Sequence, residues 1–354
     1  MKLNVTAIGA LTLGNITSGG ATSLGAGGAI VVLSGDGIVS GAALTVTQGA
    51  SLTMGANSFL SAVKQVDVTV SGAALLGQLR STLNADHAVT LHAGTISGNG
   101  DGQTNIVARG PLARSYLAAA SGIGSSTRPI VVDTPWLNPT TTAGDIYLAA
   151  RSSLIVPNIV APGVFSLNGS GALNGGSITT TGNTTLSAAG AIAFTDITSG
   201  KTTIITAGDA ITVHNVASPT GIGINAGKDI SFSLLTSSGG NVLANSSGGA
   251  INGGSVVAAG SVTLTAAGAV TFANINAGQG ILIVPSAGLV ANAVGTRDVS
   301  ITSLTDCTTC AMFTTFGARR DSVETSFQSL DCNCSVASAV VSSRCRSIPA
   351  AYCV

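Results

Sequence analysis

Spacing constrains this chain more than any single motif. The segments Ile178-Thr-Thr-Thr-Gly182, Ile197-Thr-Ser-Gly200, Val216-Ala-Ser-Pro219, Leu235-Thr-Ser-Ser-Gly239, Val256-Val-Ala-Ala-Gly260 and Ile275-Asn-Ala-Gly278 open with an apolar residue and close on a turn former. Their leading residues lie 19, 19, 19, 21 and 19 positions apart, and Ile159 stands another 19 upstream of Ile178. A second series of turn glycines, Gly190, Gly208, Gly227, Gly248, Gly268 and Gly288, advances by 18, 19, 21, 20 and 20. A longer echo returns Ala172-Leu-Asn-Gly-Gly-Ser177 as Ala250-Ile-Asn-Gly-Gly-Ser255, 78 positions later. Three registered series define a repeat.

What lies between the turns identifies the element. Ile192 and Phe194, Ile211 and Val213, Ile230 and Phe232, and Val270 and Phe272 are pairs separated by one residue. That is period two, the strand signature. On the other side of the turn, Leu186, Ile204, Leu264 and Val284 share a position four residues before the glycine. No segment sustains a helical apolar stripe. A unit this small cannot bury its apolar face alone, so units must stack. The expected fold is all-β, a right-handed parallel β-helix of ~19–20-residue coils with equivalent residues about 4.8 Å apart. Ile192, Ile211 and Ile230 would form one internal ladder, and Phe194, Val213 and Phe232 another.

The register varies along the chain. Residues 1–94 read as somewhat irregular coils, with Gly9, Gly28, Gly49, Gly72 and Gly94 at intervals of 19, 21, 23 and 22. Residues 95–150 read as looser coils with Pro-rich loop insertions. They hold Pro111, Pro129, Pro135, Pro139 and the only Trp, Trp136. Proline is confined to edges and bulges of sheets; a linker between two stacks is the second reading of this stretch. Residues 151–302 are regular coils. Residues 303–354 are a non-repeat tail with all six cysteines: Cys307, Cys310, Cys332, Cys334, Cys345 and Cys353. Three readings stand for it: a disordered, frameshift-derived or broken gene end, a disulfide-stapled cap, and a zinc site on Cys307-x-x-Cys310 with Cys332-x-Cys334. The repeat is already running at residue 7, so a parent chain beginning upstream is expected. No cationic segment followed by an apolar core marks a signal peptide. No window of about 18 apolar residues marks a membrane helix.

Composition removes other classes. The 14 Lys and Arg balance 14 Asp and Glu, without the basic excess that nucleic acid demands. With 45% apolar residues the chain is not a disordered type, and glycine at every third position, as in collagen, is absent.

The units Thr185-Leu-Ser-Ala-Ala-Gly-Ala-Ile192 and Val262-Thr-Leu-Thr-Ala-Ala-Gly-Ala-Val270 resemble those of filamentous-haemagglutinin-type large exoproteins and autotransporter adhesins of Gram-negative bacteria. Gly122-Ile-Gly-Ser-Ser-Thr-Arg-Pro-Ile130 followed by Thr142-Ala-Gly-Asp-Ile-Tyr147 looks like a junction within such arrays. The similarity covers roughly residues 1–300. It implies a secreted or outer-membrane-surface β-helix with roles in adhesion, aggregation or biofilm, exported by two-partner secretion or as an autotransporter. Its partners would be host or bacterial cell-surface glycans or proteins, and neighbouring coils of a longer parent. The family's amino-terminal secretion domain and carboxy-terminal β-barrel have no counterpart in these residues.

Chemistry-bearing residues are sparse. The competing function is a carbohydrate-active β-helix, a polysaccharide lyase or hydrolase, which needs placed carboxylates. Residues 1–300 hold Asp36, Asp67, Asp86, Asp101, Asp133, Asp145, Asp196, Asp209, Asp229 and Asp298, dispersed and mostly at turns, and no Glu. Asp209 and Asp229 each precede a strand near a glycine, where a turn-forming Asp is expected. Asp86, His87 and His92 are the densest polar group. On a strand through Val89 and Leu91, His87 would share their face and His92 the opposite one, leaving no joint site. His214 is expected to face solvent beside Asn215. No Gly-x-Ser-x-Gly elbow, phosphate-cradling loop or calcium nonapeptide array is present. Thr179–Thr181, Thr184–Thr185 and Thr202–Thr203 do not keep the regular face an ice-binding ladder requires. The reading is therefore a non-enzymatic stalk and display surface with no catalytic, cofactor or metal residues. A degenerate gene fragment is the third alternative.

Overall fold

The structure, a computed structural model, describes residues 2–295 and the strands Val299–Ile301, Met312–Arg319, Ser322–Ser329 and Ala339–Val341, with side chains described through Leu289. All six cysteines fall outside the described residues. Among the described residues every regular element is a strand. The chain divides into two compact units, Met1–Gly208 and Asp209–Val354.

In the first unit, strands recur once per coil on three ladders. One begins Leu3–Ala7, Thr22–Ala26, Leu44–Gly49, Val66–Val70 and Val89–Ala93. The second is Leu11–Leu13, Ala29–Val32, Ser51–Met54, Ala73–Leu76 and Thr95–Gly98, and the third begins Ile16–Ser18, Gly37–Ser40 and Phe59–Ala62. All pairings among them are parallel, with one register shift between Val68 and Val70 against Leu44–Gly49, and Leu24 stacks on Val46, Val46 on Val68, Val68 on Leu91 and Leu91 on Leu117. Each of these five residues is fully buried. This is the solenoid core, and alternation sends the intervening Ser, Thr and Asn side chains outward.

Residues 95–150 continue to stack. Asn105, buried at 3% exposure, replaces missing rungs where the chain leaves the ladder. Its amide donates to the Leu76 and Gly77 carbonyls and its oxygen accepts from the Val131 N–H. Further on, Gly122 (φ 130°) and Gly124 (φ 68°) lie where side-chain-bearing residues are strained. They bracket Ile123, which pairs alone with Ile96 below and Ile146 above. The strand Ile146–Ala150 also receives Ile130–Val132, so the second and third ladders merge on it. Three sheet faces per coil thereby become two, and Asp145 and Val164 one coil on are 19 residues apart, although each of the next two coils still carries three short strands, such as Leu154–Val156, Ile159–Ala161 and Phe165–Gly169. Pro139 departs from the expectation of edges and loops, since it is buried within Trp136–Thr141. That strand pairs with the following coil only at Trp136 and Ile155, so the absent N–H removes no rung.

The second unit repeats one plan. Long strands Ile211–Ser218, Ile230–Ser237, Ile251–Ala258 and Val270–Ala277 form one parallel face, and Gly221–Ala226, Asn241–Ser246, Val262–Ala266 and Ile281–Pro285 the other. Ile211 stacks on Ile230 and Val213 on Phe232, all buried, as their spacing predicts. The positions four before each glycine are not equivalent. Leu186 and Leu264 are buried, whereas Ile204 is 45% exposed and Ile205 takes the inner place opposite Leu186. Ile283 likewise stacks on Leu264, and Val284 turns outward. The glycine series slips against the strands because turn length varies.

The echoed Asn-Gly-Gly has a packing cause. Gly253 stands between Phe232 and Phe272 in one column, and a Cβ there would overlap the Phe232 ring. Gly175 receives Phe194 in the same way. Bulk alternates with its absence, so the ladder fills without strain. Corners are tied by buried hydroxyls: Ser199 Oγ donates 2.8 Å to the Gly182 carbonyl and also meets Thr202 O, whereas the buried Thr203 and Thr22 hydroxyls have no hydrogen-bond partner.

Two substitution pairs check this packing. Gly253→Ala is expected to lower stability by about 1–3 kcal/mol through overpacking, and Phe232→Leu in the same chain to restore most of it, measured by denaturant midpoint. Ser199→Ala should cost about 1 kcal/mol for lost hydrogen bonds. Thr203→Val should hold or raise the midpoint, because it removes an unsatisfied buried hydroxyl. Equal losses in the last two variants would contradict the assigned bonding.

Candidate binding surface

Most of the solenoid exterior is Ser, Thr, Asn and Gly, which hold water without charge. One outward spot differs. The strand Arg114–Ala119 places Tyr116 beside Thr90 of the coil below and Asn138 of the coil above. Arg114 pairs with Trp136 in the same register. The turn before Val89 brings up Asp86 and His87, and three aromatic rings then meet on successive coils. His87 stacks on Tyr116 at 4.5 Å between centroids and 18° between planes. Trp136 follows at 5.2 Å from Tyr116, tilted by 59°. The Arg114 guanidinium lies 5.2 Å from the Trp136 ring centre. These separations repeat the coil spacing of about 4.8 Å, so the column is aligned by the fold itself.

Polar contacts fix the column. The Tyr116 hydroxyl donates 2.7 Å to Asp86 Oδ1, which also accepts from the His87 N–H at 3.0 Å. Asp86 Oδ2 faces only His87 Nε2, at 3.9 Å, and the two side chains are 54% and 62% exposed. The Tyr116 hydrogen bond, with smaller help from the His87 amide and nearby positive charge, holds the Asp86 carboxyl below its ordinary value despite some desolvation. Burial, then Asp86, pushes the Tyr116 phenol up against a smaller opposing pull from Arg114. Both groups therefore keep their neutral-pH forms, carboxylate and phenol.

The histidines are placed differently from the alternation argument. His87 does not share the face of Val89 and Leu91. It has φ 55° and sits in the turn, before the strand's alternation begins, with its Nδ1 3.3 Å from Thr90 Oγ1. His92 does point outward, opposite Leu91, and His214 is exposed with Nδ1 3.0 Å from the Asn215 amide. The sequence grouped Asp86 with His87 and His92; the structure keeps Asp86 with His87 and adds Tyr116, Arg114 and Trp136 in place of His92. Those three come from later coils, across the insertions, and no fixed period links them. The one available signal was rarity: Trp136 is the sole tryptophan and Tyr116 one of three tyrosines.

Other carboxylates do not converge. Asp36 accepts from Asn15, and Asp101 from the Asn57 and Gln103 amides. Asp133 holds Arg109 and Ser152. Asp145 accepts from the Val164 N–H. Asp209 pairs with Lys228 at 3.0 Å, and Asp229 accepts from the Ala250 amide of the next coil. Asp67 stacks below Thr90, Asp196 is half-buried, and Asp298 lies outside the described residues. Among the described residues no three His, Cys, Asp or Glu gather as metal ligands, and no helix is long and apolar enough to cross a membrane. A cleft of about 420 Å³ opens beside the Ile123 junction, lined by Ser97, Ser121, Ser125, Ser126, Asp145 and Tyr147. Its one carboxylate is already bonded to Val164 N–H and, at 3.4 Å, to the Tyr147 hydroxyl.

No family model matches the chain, and neither a curated protein nor a solved structure matches it.

The Asp86 assignment has a pH consequence. Asp86 should titrate below its ordinary 3.8, so the Tyr116 bond persists in mild acid and is lost as pH falls through the lowered value. Tyr116→Phe should move that titration upward, read from the Asp86 carboxyl carbon by NMR. An unchanged titration would remove the hydrogen bond as its cause.

Proposed function

We propose that this chain is a non-enzymatic, structural and adhesive segment of a bacterial surface-exposed or secreted exoprotein of the filamentous-haemagglutinin or autotransporter kind. It works by distance and display: paired coils supply stiffness, and the exterior supplies contact. Its partners on this reading are cell-surface glycans or proteins and the neighbouring coils of a longer parent, at the outer-membrane surface or outside the cell. No cofactor is needed.

The observation that carries the reading is the contrast between the two kinds of functional side chain. The carboxylates Asp36, Asp101, Asp133, Asp145, Asp209 and Asp229 are spent on amides, hydroxyls and ion pairs. Three partly or fully exposed aromatic residues, Trp136, Tyr116 and His87, are gathered at one place, while Phe59 and Tyr147 are partly exposed elsewhere. Hydrolysis or elimination on a polysaccharide requires cooperating carboxylates or a metal; adhesion requires an exposed amphipathic patch on a stiff support.

Beads coated with the purified chain should adhere to epithelial cells or aggregate bacteria several-fold more than albumin-coated beads, and the chain should release no reducing or unsaturated ends from a panel of polysaccharides. Adhesion at the albumin level, or release of such ends, would overturn the assignment.

A further inference from the structure

The aromatic column sits on a chain that otherwise avoids such residues. Aromatics make up 3% of the sequence and charged residues 8%. The fold does not require the column, since the inward residues Val89, Leu91, Leu117 and Leu137 of the same strands are fully buried without it. What is left outside is amphipathic in a specific way. Trp136 is tilted 59° out of the stack, with the Arg114 guanidinium over one face of its ring, so a ligand would meet the other face and the ring edge. Tyr116 and His87 continue as ring edges, and Asp86 closes the other end with an oxygen, Oδ2, outside the Tyr116 bond. Ile155, 47% exposed, extends the apolar surface next to Trp136 on the following coil.

From this arrangement we infer that Trp136, Tyr116 and His87, flanked by Arg114 and Asp86, form a binding strip for an uncharged oligosaccharide lying along the stacking direction. The ligand must offer apolar C–H faces to the rings and hydroxyl groups at its rim to both a donor and an acceptor. Pyranoses with equatorial hydroxyls have that form: their axial hydrogens make a flat apolar face, and their hydroxyls project around it. One Arg and one Asp leave the strip without net charge, which does not favour an acidic glycan. Three rings on successive coils span two intervals, about 10 Å, so two or three linked sugar rings fill the strip. Trp136 anchors one ring, Arg114 donates to its hydroxyl oxygens, and Asp86 Oδ2 accepts from a hydroxyl at the far end. This deepens the adhesive reading and rests on it for its biological setting.

The sole tryptophan makes the test direct. The full chain is titrated with cellotetraose, chitotetraose and 3′-sialyllactose while Trp136 emission is recorded. A saturable change with a neutral tetrasaccharide is expected. Tyr116→Ala should weaken it roughly tenfold or more, as for a contact residue at the centre of a binding site. Binding to Trp136→Ala, followed by calorimetry, should be lost while the strand signal in circular dichroism is kept. Arg114→Ala gives a second, milder variant should Trp136→Ala fail to fold. No change with either neutral sugar, a response to sialyllactose alone, or calorimetric binding unaffected by Arg114→Ala and Tyr116→Ala would overturn the strip. Coated beads separate this from the broader reading. Wild-type beads that adhere without any sugar response leave the adhesive role standing and remove the strip, whereas sugar binding without bead adhesion does the reverse.

Discussion

A buried backbone amide or carbonyl left without a partner costs on the order of 1–3 kcal/mol. Among its described residues this chain has no helix to satisfy those groups within a segment. Through Gly295 each strand borrows its partners from neighbouring coils, and parallel pairing at nearly constant residue spacing is how the chain does so; only the later strands Met312–Arg319 and Ser322–Ser329, and Val299–Ile301 with Ala339–Val341, pair antiparallel among those described. Everything else follows from that demand. Equivalent residues stack in columns, so a column has to be uniformly small, uniformly branched, or alternate a ring with a glycine, as Phe232, Gly253 and Phe272 do. Charge is nearly excluded because a charged side chain repeated along a column would face its own copies.

The same geometry converts a column into a surface. Outward residues on successive coils are brought within contact distance whatever the length of chain between them. Tyr116 and Asp86 are 30 residues apart yet hydrogen-bonded. A loop insertion therefore moves nothing out of line as long as the coil closes on the same ladder. Asn105 shows how the chain keeps that closure, with its side-chain amide standing in for backbone groups on either side.

Much of the fold was legible in the sequence, because the columns are written as a period. Ile211 with Ile230 and Val213 with Phe232 are spaced as they stack. Legibility failed where the period was counted from turns rather than strands. Ile204 and Ile205 are adjacent and both apolar, and only the pairing of Leu186 with Ile205 decides which is inside. The candidate site was half visible. Asp86 and His87 stood out as a polar pair, but His87 adopts a left-handed turn conformation that strand alternation cannot anticipate. Trp136 and Tyr116 join it only because irregular coils still stack, and a sequence without a constant period does not say which residues those coils superpose.

The Ile123 rung also fixes a load path. In that coil one face is held by a lone residue, tied to Ile96 through its glycine neighbours, while Val89–Ala93 and Ser115–Ala119 pair along their full length on another. Tension applied along the stack therefore meets a single-residue rung on one face at this coil, beside two faces that pair over two or more residues. The place where three faces become two is thus also where one of them is most easily parted.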